Sequence, residues 1–196
     1  MGFGIATLGY GFLLTYEAGG GIFAGILLAY GFYLTSLVNK RFLAASISAL
    51  LLIPHSVLLL LIVIGVVDET KIQLLIQISR SVFYLAWLSM AYNYFTAIKN
   101  IAIENKNIRL QNKAMNRLYL TVLILLAILS TIIFSVLNTS SVSNILYVSQ
   151  YLVILINILF LHNCFIMITT ESQYKKDKRK YIEEEKKLLE KRKKEK

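Results

Sequence analysis

Uninterrupted apolar runs of about twenty residues, with no polar face, constrain this chain more than any other feature. A water-soluble helix needs one polar side, and a half-buried strand needs alternation; segments such as Leu50–Ile53, Val57–Ile64 and Val122–Ile128 have neither. At about 1.5 Å per residue, a helix of this length crosses a hydrocarbon core. A transmembrane barrel would require alternating segments of roughly ten residues between turns, which are missing. Hydrophobic residues make up 57% of the 196 and charged residues 16%, with a single proline. That composition excludes an ordinary soluble domain.

The expected fold is an all-α, polytopic transmembrane bundle of about six spans over residues 1–170, followed by a charged cytoplasmic helix over 171–196. Walking between charges and turn formers places the spans at Gly2–Tyr16, from just after Gly19, Gly20 and Gly21 to Val38, and at Phe42–Val67, Ile72–Ile98, Leu118–Leu137 and Ile145–Thr170. The first is short. Read as a re-entrant or interfacial piece, it leaves five spans and an exterior N-terminus. With six, all basic clusters fall on one side: Lys40 and Arg41, then Lys99, Lys106, Arg109, Lys113 and Arg117, then the tail. The other side receives Glu17, Asp68, Glu69 and Lys71. Basic residues near span ends are retained in the cytoplasm, so both termini are expected there, in a cell membrane. The one cysteine, Cys164, excludes an intrachain disulfide and reads as an apolar filler.

Strongly polar residues inside spans are costly in lipid and are the first places to seek function. Gln73, Gln77, Arg80, Tyr84 and Trp87 recur at spacings of three and four, which puts them on one face of the fourth helix. If that face looks into the bundle, the Arg80 guanidinium can hold an anionic group, with Gln77 and Tyr84 beside it. If instead the span begins at Ser81, Arg80 snorkels to headgroups; this reading asks less of the chain. Glu17, next to three glycines, marks either a simple turn or a carboxylate partner for Arg80. His55 follows Pro54, where a helix kink is expected, and suits a hydrogen bond across a helix interface better than proton relay. Asn157 is also read as an interhelical hydrogen bonder. Gly21 with Gly25, and Ala45 with Ala49, are small-xxx-small pairs that permit close helix packing. Thr7-Leu8-Gly9-Tyr10-Gly11 resembles a potassium-channel filter segment, but no pore helix precedes it, so span is the preferred description.

The tail carries twelve basic and seven acidic residues, and Tyr174, Tyr181 and Leu188 form a narrow heptad seam. It suits the anionic inner leaflet or a membrane or cytoplasmic protein partner; nucleic-acid binding is not needed to explain it. No cofactor or metal is implied, and no paired carboxylate, nucleophile–base or metal constellation points to an enzyme. Least is demanded by a non-enzymatic subunit, scaffold or regulatory component. The alternative is small-molecule binding or transport, with a pocket formed by Arg80, Gln77 and Tyr84 and joined by Glu17 and His55.

Overall fold

A computed structural model describes residues 2–133, 142 and 144–167. The helices are α1 (Gly2–Phe12), α2 (Gly20–Thr35), α3 (Arg41–Leu50), α4 (Ile53–Val63), α5 (Gln73–Glu104) and α6 (Ile108–Ile133). A further helix, α7, spans Asn144–Met167. Short 3-10 segments at Leu13–Ala18 and Glu69–Lys71 extend α1 and precede α5. Residues 171–196, where the tail helix is expected, lie outside the described residues.

Four segments are long and apolar enough to cross a membrane: Arg41–Val63, Gln73–Glu104, Ile108–Ile133 and Asn144–Met167. In each, no more than 33% of the most apolar window is buried within the bundle. The outward faces are therefore apolar too: Ile47, Leu50 and Leu51 on α3 and its junction with α4, Leu85 and Tyr92 on α5, Leu123 and Leu126 on α6, and Leu152, Leu155 and Leu159 on α7 all stand exposed. Water does not tolerate so continuous an apolar exterior, whereas lipid does. α2, with 16 residues, is shorter.

Neighbouring helices run antiparallel, and small residues set their separation. In α2, a Cβ placed on Gly25 would stand 2.6 Å from Ile53 Cγ1 and 3.1 Å from the Ala49 carbonyl oxygen, and one on Gly21 would run into the Ser56 hydroxyl. Ala45 and Ala49 are fully buried on the facing stretch. Both small-residue pairs thus lie where α2 meets α3 and α4, and the contact is supplemented by the Ser46 hydroxyl donating to the Ala29 carbonyl at 2.7 Å. Behind it runs an aromatic stack. Phe32 lies flat against Phe42 and Tyr94, at centroid separations of 6.0 and 5.3 Å, and Tyr94 leads on to Phe95 and Phe160.

The break near Pro54 is the expected kink, with Leu51 and Leu52 keeping right-handed helical backbone angles between the two helical stretches. α3 stops at Leu50 and α4 starts at Ile53, with Pro54 in its first turn, where a missing N–H costs nothing. Of the three serines near the break, only Ser56 caps a backbone group there, donating to the Leu52 carbonyl at 3.1 Å. Ser48 instead meets Ser89 of α5 at 2.9 Å.

One boundary is corrected. The segment expected from Leu118 begins ten residues earlier, at Ile108, so Arg109, Lys113 and Arg117 lie on helix rather than in a loop. Leu110, Ala114 and Leu118 supply a buried stripe at i, i+4, i+8. Asn107 starts the helix by accepting from the Leu110 N–H at 3.0 Å, and Lys106 makes the preceding turn with a φ of 54°. The α5–α6 connection is accordingly short, and the basic residues project from helix ends. The segment Thr7–Gly11 is α-helical throughout, which commits its carbonyls to helix bonds rather than to a filter.

Candidate functional site

α5, α6 and α7 diverge at the end of the bundle that carries Asp68, Glu69 and Lys71. Between them lies a cavity of about 580 Å³, within the range of small-molecule sites. α5 contributes Gln73, Ile76, Gln77, Arg80 and Tyr84; Glu69 stands just before it on the rim. The facing wall is Ile128, Thr131 and Ile132 of α6, with Leu146, Tyr147 and Gln150 of α7. Gln73, Gln77, Arg80 and Tyr84 reach one wall because 3.6 residues per turn keeps positions three and four apart on one side. The register of α6 and α7 against them supplies the rest.

The floor is a buried pair. Tyr84 donates from its hydroxyl to Gln150 Oε1 at 2.9 Å, and both residues are buried, which leaves Gln150 Nε2 without a partner among the described residues. An unpaired buried donor of this kind costs about 1–3 kcal/mol. On the wall, Gln77 donates to the Ile132 carbonyl at 3.1 Å and ties α5 to α6. Arg80 remains exposed, and among the described residues no carboxylate comes within ion-pair distance of it. The exposed Arg80 guanidinium gives the cavity a charged donor matched by a carboxylate or other oxyanion, with the unpaired Gln150 amide buried in the floor beneath it.

Glu17 is next to the site rather than in it. The 3-10 segment Leu13–Ala18 ends at Gly19, whose φ of 86° is a left-handed conformation that a side chain would strain. This turn points the Glu17 carboxylate at α7, where Tyr147 donates to its Oε2 at 3.0 Å, while Tyr16 donates to its Oε1 at 3.0 Å. Tyr147 also meets the Tyr151 hydroxyl at 2.9 Å. The carboxylate is thus held by two phenols, and it pairs with no arginine. Since Tyr147 lines the cavity, Glu17 positions one of its walls.

His55 does not line the cavity and instead makes a contact across a helix interface, the reading its place after Pro54 suits better. Its Nδ1 lies 3.0 Å from Ser79 Oγ, and its ring packs on Phe83 at 5.2 Å. It is a bond between α4 and α5, on the flank of α5 beside the cavity wall rather than on the wall itself. Asn157 likewise donates to Thr121 Oγ1 at 3.2 Å, between α7 and α6. Cys164 is fully buried and unbridged.

At the rim, Asp68 Oδ1 accepts from the Thr70 hydroxyl at 2.7 Å and the Thr70 N–H at 3.0 Å. Those bonds hold its carboxyl below the usual carboxylate range. Among the described residues, no three His, Cys, Asp or Glu side chains converge as a metal site requires. Compared with known protein families, with curated protein sequences and with solved structures, the chain matches none.

Proposed function

We propose that this chain is a non-enzymatic integral membrane protein that binds a small molecule bearing an anionic oxygen group, in a pocket opening on the non-cytoplasmic side. The observation that carries this reading is the convergence of Arg80, Gln77 and Tyr84 with Gln150 on one cavity, with no counter-charge to Arg80 among the described residues. Six crossings fit the dimensions. The eleven residues of α1 rise about 16 Å at about 1.5 Å per residue, and the Leu13–Ala18 segment, kinked at Thr15, carries the chain further toward the hydrocarbon thickness of about 30 Å. α2 extends about 24 Å by the same measure. Lys40, Arg41, Lys106 and Arg109 then share the end opposite the pocket, which is the cytoplasmic end by the distribution of positive charge.

A packing or regulatory subunit, the reading that asks least of the sequence, leaves Arg80 to snorkel to headgroups and the floor amide without a partner among the described residues. Native mass spectrometry of protein purified in mild detergent distinguishes the two. A small anionic adduct on the wild type that is lost in Arg80→Gln supports binding. An adduct kept at full occupancy in Arg80→Gln, or a protein subunit as the only copurifying species, contradicts it.

A further inference from the structure

Inward of the Tyr84–Gln150 floor, at about mid-height, five fully buried side chains from four helices meet: Tyr10 of α1, Trp87 and Tyr94 of α5, Thr121 of α6 and Asn157 of α7. Tyr10 donates to the Tyr94 hydroxyl at 3.1 Å, and Asn157 Nδ2 donates to Thr121 Oγ1 at 3.2 Å. The Trp87 and Asn157 side chains both border the Tyr10 hydroxyl. Neither approach closes to a well-aligned hydrogen bond: Trp87 Nε1 and Asn157 Oδ1 both lack a partner of good geometry among the described residues. One unused donor and one unused acceptor therefore flank a single hydroxyl in the middle of an apolar bundle. Buried polar groups are rarely left this way, least of all where lipid surrounds the helices.

The cluster also continues the pocket. Gln150 and Asn157 lie two turns apart on one face of α7, and Tyr84 stacks on Trp87 with centroids 6.2 Å apart and rings 12° from parallel. The third orphaned atom, Gln150 Nε2, sits on this same line. We propose that Trp87, Asn157 and Tyr10 form an inner site for a small neutral molecule that accepts one hydrogen bond and donates another, water being the smallest, entered from the outer pocket past the Tyr84–Gln150 pair. The guest accepts from Trp87 Nε1 and donates to Asn157 Oδ1, with the Tyr10 hydroxyl as third partner, enough contacts to hold a buried water. It is neutral because the five side chains of the cluster, Tyr10, Trp87, Tyr94, Thr121 and Asn157, carry no charge and are buried from any that would pair with an ion. The inference stands whatever the outer pocket binds. Bundle sites near mid-height, reached from one side, are the arrangement that alternating-access carriers use.

Trp87 is the only tryptophan in the chain, so its fluorescence reports this site alone. The test compares quenching of wild-type protein in lipid nanodiscs by acrylamide, a small neutral amide, by iodide, and by lipids brominated on the acyl chain. Acrylamide quenching without iodide quenching, an emission maximum to the red of a dry apolar core, and a lengthened lifetime in D2O are expected. Tyr84→Phe, which opens the floor, should raise acrylamide quenching, and Asn157→Leu should shift emission to the blue and abolish it. Dry-core emission with no acrylamide quenching and no D2O effect in the wild type overturns the proposal, as does quenching by brominated lipid alone. The wild-type measurements decide the matter even if Asn157→Leu fails to fold.

Discussion

Replacing Gly31 with alanine should push α1 and α2 apart. A Cβ at that position would lie 2.7 Å from the Ala6 nitrogen, 2.7 Å from the Gly2 carbonyl oxygen and 3.1 Å from the Ala6 Cα, all of them backbone atoms of α1. No rotamer change can relieve a clash with backbone. Restoring an ordinary 3.4 Å contact requires a separation of about 0.7 Å, the difference between 3.4 and 2.7. A gap of that size forfeits roughly a quarter to a half of the dispersion energy of each contact it opens. Overpacking of this kind costs about 1–3 kcal/mol, while alanine gains about 1 kcal/mol over glycine in helix propensity. The net change is a loss of about 1 kcal/mol. Gly11 is the control: it lies in the same helix pair, and a Cβ there meets nothing within 4 Å. Gly11→Ala should therefore be neutral or stabilising by up to about 1 kcal/mol, somewhat less than a mid-helix position because it sits near the end of α1. SDS titration in mixed micelles, followed by far-UV circular dichroism, measures both. If Gly31→Ala unfolds at the same SDS fraction as Gly11→Ala or later, α1 and α2 do not pack as described.

Two further outcomes follow from single contacts. Ser46→Ala removes the hydroxyl bond to the Ala29 carbonyl and should cost about 0.6 kcal/mol in the same titration, the average for such bonds between helices in membranes; no loss means that α2 and α3 are not in this register. Asp68, with its carboxyl held low by Thr70, contributes stability that is complete above the carboxyl's unfolded value and is lost as pH falls through its folded one. An NMR titration should place its midpoint below that of an ordinary aspartate, and Thr70→Val, which removes the hydroxyl bond and keeps the N–H one, should bring it part of the way back; an unchanged midpoint in that variant would dismiss the hydroxyl bond as a cause.

Much of the bundle was legible because hydropathy and helix period are local properties. Segment ends expected at Gly2, Phe42, Ile72 and Ile145 fall within a residue of helix starts, since each is set by a charge, a glycine or a turn. The start at Leu118 was not legible. Hydropathy reports where lipid begins, whereas a helix continues into water if its own caps and stripe support it, as Asn107, Leu110 and Ala114 do. The α5 wall of the pocket was readable from the spacing of Gln73, Gln77, Arg80 and Tyr84. Its facing wall was not, because Tyr84 and Gln150 are 66 residues apart and their pairing depends on helix register, which shape complementarity sets. A signal did exist: Gln150, Asn157 and Cys164 repeat every seven residues on α7, all buried, a polar stripe facing inward. Charge and chemistry alone leave Glu17 and His55 open between a pocket role and a turn or interhelical bond. The turn at Gly19 and the break before Ile53 direct them to Tyr147 and Ser79 instead.

The central claim is a ligand pocket that opens away from the cytoplasm, and labelling with a membrane-impermeant maleimide tests it most directly. In a Cys164→Ala background, Gln73→Cys on the pocket wall and Lys106→Cys in the α5–α6 turn are expressed separately in intact cells. Labelling of Gln73→Cys from outside, with Lys106→Cys reacting only after permeabilisation, is the expected result. Labelling of Lys106→Cys from outside, or of Gln73→Cys only in permeabilised cells, contradicts the account.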